Sequence, residues 1–251
     1  MLAHVHIMKT AGQTVCDILR SSFGANHCDL RAGELATLGD VRFAHTFYPN
    51  LQSIAGHAVR PWNELAEFPG LRFFTFLREP VSRCLSHYQF ECQRNGHDGE
   101  FLPWLERNAN YQTRILSGTD QAERAIQILE ERIGFTGLVE DFDRSLLLLG
   151  NWSGHDLNIH YRSRNVAKSS AVKKQVLADP RNVNALQSCH EADVIVYQYL
   201  CNEIYPRQIE QYASEPEASR SPNSISTWWP MAKRDLLYKP AAKLRQMLRA
   251  S

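Results

Sequence analysis

Three short stretches hold residue types that could bind and transform an anion. They are Lys9-Thr10-Ala11-Gly12-Gln13-Thr14 near the start, Gly56-His57, and Arg78 with Ser86 eight residues further on. The first follows Val5-His6-Ile7-Met8, so it reads as a buried strand, a small-residue loop and a helix start. A helix N-terminus leaves its first N–H groups unpaired and carries partial positive charge, which suits a phosphate or sulfate. Lys9 adds a full charge, Ala11 and Gly12 let the backbone approach closely, and the Thr10 and Thr14 hydroxyls can donate or cap. A phosphate loop of the Gly-x-x-x-x-Gly-Lys-Ser/Thr type places its lysine at the end, whereas here the lysine opens the loop. The same stretch would also serve as a plain strand-to-helix turn with a solvated lysine.

Arg78 closes a nearly continuous apolar run, Leu71-Arg72-Phe73-Phe74-Thr75-Phe76-Leu77, as suits a strand covered on both faces. Pro80 then fits a first helical position, with Val81, Leu85 and Tyr88 on one face. Ser86 lies about two turns into that helix at 3.6 residues per turn, so it and Arg78 can face one anion. A salt bridge to Glu79 is the simpler use of Arg78. The stretch Ser53 to Val59 reads as a short strand ending at Gly56 and His57, before Pro61 breaks the chain. An imidazole there can accept a proton near neutral pH or simply cap the strand. His45 and Glu64 are its competitors as a base.

The elements that must position these groups alternate between strand and helix. Thr14 to Phe23 has helical spacing and stops at Gly24, and Val41 with Phe43 reads as a short extended segment. Phe101, Trp104 and Leu105 form one helical apolar set, and Ala125, Ile126, Leu129 and Ile133 another. Between them the polar cluster Asn110 to Leu116 either faces a ligand or ties loops together. Gly134 to Glu140 reads as a strand, Asp143 to Leu149 as a helix, Asn151 to Ser170 as loop, and Val183 to Tyr205 as one long packing helix. This alternation predicts an α/β protein, a P-loop-like three-layer fold with a mainly parallel central sheet flanked by helices and ligands at the strand C-termini. Lys9, His57 and Arg78 all fall at such ends.

Composition sets the outer bounds. The 251 residues, 43% hydrophobic and 22% charged, suit one large domain or one domain plus an appendage. A net charge of +1 offers no case for nucleic-acid binding. Residues 1–212 read as the main domain and 213–251 as a linker and tail. From Pro230 the tail holds six basic residues against the single acid Asp235, together with Trp228 and Trp229 nearby. It reads as a loosely ordered tail, with a membrane-surface or partner-docking helix as the alternative. The six scattered cysteines have no Cys-x-x-Cys pair, so neither a zinc site nor a disulfide framework is expected. No apolar run approaches the ~20 residues of a membrane span and no signal peptide opens the chain, so a cytoplasmic setting is expected.

The segment His6 to Thr14, followed by Phe74-Thr75-Phe76-Leu77-Arg78-Glu79-Pro80-Val81-Ser82-Arg83-Cys84-Leu85-Ser86-His87-Tyr88, resembles the sulfotransferase superfamily. The branch most resembled is the carbohydrate enzymes related to heparan sulfate 2-O- and 6-O-sulfotransferases. Gly56-His57, Asn110 to Leu116 and Gly137 to Phe142 extend the likeness over roughly residues 3 to 210. Met8 stands where the family usually has proline, and Gln13 where it often has Thr or Ser, a hydroxyl that Thr14 can supply one position on.

The resemblance implies 3′-phosphoadenosine 5′-phosphosulfate (PAPS) as sulfate donor, with no metal, and a carbohydrate or glycoconjugate hydroxyl as acceptor. It implies that Lys9, Thr10, Ala11, Gly12, Gln13 and Thr14 hold the 5′-phosphosulfate, with Lys9 also catalytic, and that Arg78 and Ser86 hold the 3′-phosphate. His57 is then the base. Lys168 and Ser169 are expected to close over the nucleotide, and Thr113 and Arg114 to contact cofactor or acceptor. A nucleotide-dependent kinase and a non-catalytic nucleotide- or glycan-binding module are the alternatives.

Overall fold

The computed structural model describes residues 1–161, 171–213 and 233–250. Five parallel strands form the central sheet in the order β2-β3-β1-β4-β5, with β1 at Leu2–Val5, β2 at His27–Asp29, β3 at Ser53–Gly56, β4 at Arg72–Leu77 and β5 at Ile133–Leu138. The expected α/β architecture is therefore present. Every residue of β1 is buried, and β4 is buried from Phe73 onward, as strands covered on both faces must be. Phe74, Phe76 and Phe135 fill the centre without exposure.

Helix α1 (Gly12–Phe23) follows β1 and packs on β2 and β3. Helix α2 (Leu38–Phe47) takes the place of the extended segment expected at Val41 and Phe43. The spacing of Val41 and Phe43 mimics strand alternation, but Thr37 and Asp40 form a reciprocal cap. The Thr37 hydroxyl accepts from the Asp40 N–H at 3.2 Å, and the Asp40 carboxylate accepts from the Thr37 N–H at 2.9 Å, which starts a helix. Helix α3 (Pro80–Arg94) begins at the proline, where the Glu79 carboxylate accepts from the N–H groups of Val81 and Ser82 at 2.9 and 2.7 Å.

Four further helices follow: α4 (Phe101–Arg107) packs on α3, α5 (Tyr111–Ser117) packs on α6 (Ala122–Glu131), and α6 and α7 (Phe142–Ser153) pack on β5. Helix α8 (Ala171–Leu177) lies on α3. The single helix expected over Val183 to Tyr205 is broken. Helix α9 (Pro180–Ser188) ends before Cys189, whose carbonyl accepts from the Asn110 N–H at 3.2 Å, and α10 (Glu191–Tyr199) starts afresh. The break frees Asp193, in the first turn of α10, to bond α5. A π-turn (Leu200–Ile204) leads into α11 (Tyr205–Tyr212).

The last described segment is a π-turn (Arg234–Tyr238) running into α12 (Lys239–Ala250). It is seated on the body: Tyr238 is fully buried against Phe43, Phe47 and Tyr48, and its hydroxyl accepts from the Arg31 N–H at 2.9 Å. Arg234 pairs with Asp29 at 2.9 Å and Arg245 with Asp40 at 2.8 Å. All six cysteines are free thiols, and three, Cys16, Cys28 and Cys84, are buried as small core side chains. Among the described residues no helix is long and apolar enough to cross a membrane.

Candidate functional site

Strand β1 hands the chain toward β2 on one side of the sheet, and β4 hands it toward β5 on the other. In an open parallel sheet the crevice between two such strands, at their C-terminal ends, is where ligands bind. Lys9 lies in the loop leaving β1, and Arg78 is the first residue beyond β4. The two loops meet, with the Arg78 guanidinium donating through Nη1 to the Lys9 carbonyl at 3.3 Å.

The loop from Ile7 to Gly12 is tightly wound. Lys9 (φ 68°) and Ala11 (φ 61°) both occupy the left-handed region that few non-glycine residues adopt, and the buried Thr10 hydroxyl donates back to the Ile7 carbonyl at 3.1 Å. Helix α1 starts at Gly12 with no side-chain cap, which leaves its first N–H groups for another partner. A Cβ on Gly12 would lie 2.0 Å from the His6 ring, so only glycine fits there. Thr14 is buried, and Gln13 is exposed toward a neighbouring cleft.

Lys9 is half-buried with its ammonium 4.6 Å above the Phe90 ring. Burial, and then the positive charges of Arg78, Lys173 and Arg94, push its pKa below the ordinary lysine value. Lys173 on α8 is likewise depressed by burial and by Arg78. Like charges held together in this way create demand for an anion. Lys173 carries no motif, and only the packing of α8 on α3 brings it here.

Arg78 is held by its backbone. The buried Gln112 side chain accepts from the Arg78 N–H at 3.0 Å and donates to the Arg78 carbonyl at 2.9 Å. The Arg78 Nε–H is buried without a partner among the described residues, a donor awaiting an acceptor. Ser86 lies on α3, half-buried. Gln112 and Thr113 are fixed in turn by Asp193, which accepts from the Gln112 N–H at 3.2 Å, the Thr113 N–H at 2.7 Å and the Thr113 hydroxyl at 2.8 Å. Thr113 is fully buried with its hydroxyl bonded to Asp193. Arg114 donates to the Arg107 carbonyl at 2.9 Å and lies 3.5 Å from Asp120. Lys168 and Ser169 lie outside the described residues.

His57 stands on the other side of β1, just past the end of β3. Its ring stacks on that of His6 with centroids 4.0 Å apart, and Nδ1 lies 3.1 Å from the His6 carbonyl. A carbonyl only accepts, so Nδ1 bears the proton and the neutral ring keeps its lone pair on Nε2. Burial lowers the His57 pKa most, the bond to the His6 carbonyl raises it, and the charge of Arg60 lowers it. His6 is itself pushed down to about 3 by burial and by His57, so it stays neutral and adds no competing charge. The competing bases are placed elsewhere: His45 on α2 stacks beside Phe68, and Glu64 accepts from the Leu38 N–H at 2.8 Å.

A cleft of about 480 Å³ opens beside His57, lined among others by His6, Gln13, Asp29, Arg234 and Lys239. Burial alone would raise the Asp29 carboxyl, but hydrogen bonds from His27 and Arg20 outweigh it and hold the group well below the usual carboxylate range. No three His, Cys, Asp or Glu side chains among the described residues converge as a metal site.

No family model and no curated protein matches this chain. Among solved structures, it is similar to the mouse sulfotransferase SULT7A1 complexed with PAP, at TM-score 0.47 and 12% identity, over 84% of this chain and 88% of that one. A sulfotransferase from Alicyclobacillus acidocaldarius is also similar, at TM-score 0.38 and 10% identity, over 74% and 94% of the respective chains.

Proposed function

We propose that this chain is a PAPS-dependent O-sulfotransferase whose acceptor is a carbohydrate or glycoconjugate hydroxyl. The observation that carries the reading is the convergence, at one crevice, of the Lys9 loop and Arg78, whose buried Nε–H has no partner among the described residues and whose guanidinium lies 3.3 Å from the Lys9 carbonyl. Two anion anchors side by side suit a ligand with separate 5′ and 3′ charges. The neighbouring cleft at His57 gives room for an acceptor.

PAPS would supply the sulfuryl group. The uncapped N–H groups at the start of α1 would hold the 5′-phosphate, and the Lys9 ammonium would neutralise charge gathering on the leaving oxygen. Arg78, with Ser86 and Lys173, would hold the 3′-phosphate, the guanidinium gripping two oxygens at once. His57 Nε2 would accept the proton of the attacking hydroxyl, with the His6 carbonyl fixing its tautomer and ring plane. Departure of the leaving group opposite the attack requires these groups to be preset in line.

Transfer from radiolabelled PAPS to a panel of glycans, alongside calorimetry with 3′-phosphoadenosine 5′-phosphate and with magnesium ATP, tests the reading. Label transfer with tight binding of the bisphosphate supports it. Tight bisphosphate binding with no transfer to any glycan leaves a nucleotide-binding module. Preference for magnesium ATP overturns it in favour of a kinase.

A further inference from the structure

Helix α12 and its preceding π-turn are amphipathic in an unusual sense, because the side facing solvent is apolar. Of the nine large apolar side chains exposed among the described residues, five belong to this one element: Leu236, Leu237, Leu244, Met247 and Leu248, between 53% and 74% exposed. They recur at helical spacing and share one outward face. The inward face is fixed, with Tyr238 and Ala242 buried and Arg234 and Arg245 clipped to Asp29 and Asp40. The apolar face therefore cannot roll inward to hide.

We propose that this face is a docking surface for an anionic membrane. The charge of the segment selects that occupant. From Pro230 onward there are six basic residues to one acid; Arg234, Lys239 and Arg245 pair with Asp29, Asp235 and Asp40, and Lys243 is exposed on the same outward face. An apolar stripe of about four turns with a lysine beside it lies in the headgroup region with its leucines inserted, while Lys243 meets anionic lipid. Pairing with a second copy would set two basic helices against each other, a like-charge contact that an isologous interface repeats on both sides. A contiguous apolar patch of this kind marks an interaction site rather than ordinary surface. The proposal stands apart from sulfuryl transfer, because its test reads lipid binding and not activity.

Flotation of the full chain with vesicles provides that test. Phosphatidylcholine vesicles containing phosphatidylserine are expected to carry the protein upward, and phosphatidylcholine alone to bind at least about fivefold more weakly. The double variant Leu244→Gln/Leu248→Gln should bind the anionic vesicles about tenfold less, while Leu147→Gln, exposed on α7 away from this face, should bind as the wild type does. Absence of binding, equal binding to both vesicle types, or equal loss in the Leu147→Gln control overturns the proposal. So does a concentration-dependent dimer in sedimentation velocity that the double variant abolishes, since the face would then belong to a second copy.

Discussion

The His57 ring is held from two directions by one residue. His6 stacks beneath it at 4.0 Å and receives its Nδ1–H through the backbone carbonyl at 3.1 Å. Because β1 and β3 are hydrogen-bonded neighbours, the residue that opens the Lys9 loop also sets the orientation of the candidate base. The same His6 ring lies over Gly12, at the start of α1. Base and anion loop are thus joined through one side chain.

This arrangement predicts the pH dependence of transfer. Burial lowers the His57 pKa from 6.5 and Arg60 lowers it further, against the raising effect of the His6 carbonyl. The basic form is therefore the neutral one present above the lowered pKa, so kcat/KM should climb with pH through a midpoint below 6.5 and level off above it. In Arg60→Gln, loss of the positive charge should move the acid limb upward. His57→Ala should reduce kcat by roughly 10²- to 10⁴-fold while leaving 3′-phosphoadenosine 5′-phosphate affinity close to wild type. Transfer rates across a buffer series and calorimetry read both outcomes.

Arg78→Lys keeps the charge and loses the fork. Hydrogen bonds to charged groups contribute about 1.5–3 kcal/mol, so affinity for the bisphosphate should fall by roughly 10- to 100-fold. Calorimetric titration measures the loss, and Lys173→Ala should weaken binding in the same direction by a smaller factor.

Gly12→Ala places a methyl group on the His6 ring, a contact the loop can relieve only by moving. Overpacking of this kind costs about 1–3 kcal/mol. His6→Ala in the same chain removes the obstacle, so the double variant should be more stable than the two separate losses predict. Urea denaturation of the four proteins of the cycle gives the coupling.

Asp193→Ala would strand three donors, the N–H groups of Gln112 and Thr113 and the Thr113 hydroxyl, in the interior. A cost of roughly 2–5 kcal/mol is expected. Because Gln112 clamps Arg78, bisphosphate affinity should fall along with stability. Asp193→Asn, which keeps an acceptor, should recover part of each.

Tyr238→Ala would empty a fully buried site between Phe43, Phe47 and Tyr48, costing about 3–5 kcal/mol if the tail is integral to the fold. Tyr238→Phe, which loses the hydroxyl that accepts from the Arg31 N–H and meets the Cys28 thiol, should cost about 1 kcal/mol. Thermal unfolding separates the two.

Four of the five strands, β1, β3, β4 and β5, and their outgoing loops were legible because their signals are contiguous, whereas the three residues of β2 (His27–Asp29) were not read. An apolar run ending at Arg78, a proline at the next helix start, and a glycine after Lys9 each act within a few residues, and local sterics and backbone hydrogen bonding decide the outcome there. Val41 and Phe43 misled because two apolar residues at alternate positions suit strand or helix equally, and the Thr37–Asp40 cap settled the matter. The break at Cys189 was hidden because helical periodicity carries across a two-residue interruption, whereas the bond from Asn110 to Cys189 joins positions 79 residues apart.

By itself, then, the sequence determined the α/β alternation and the chemical types set at the strand ends: a lysine loop, a histidine and an arginine. Tertiary structure decided which of them meet. It joined Arg78 to the Lys9 loop, added Lys173 from a helix with no motif, assigned Thr113 to Asp193, and seated the tail through Tyr238. These outcomes rest on hydrogen bonds, buried charge and ring packing between residues distant in the chain. Such contacts leave no local pattern, because their energy depends on the partner that folding delivers.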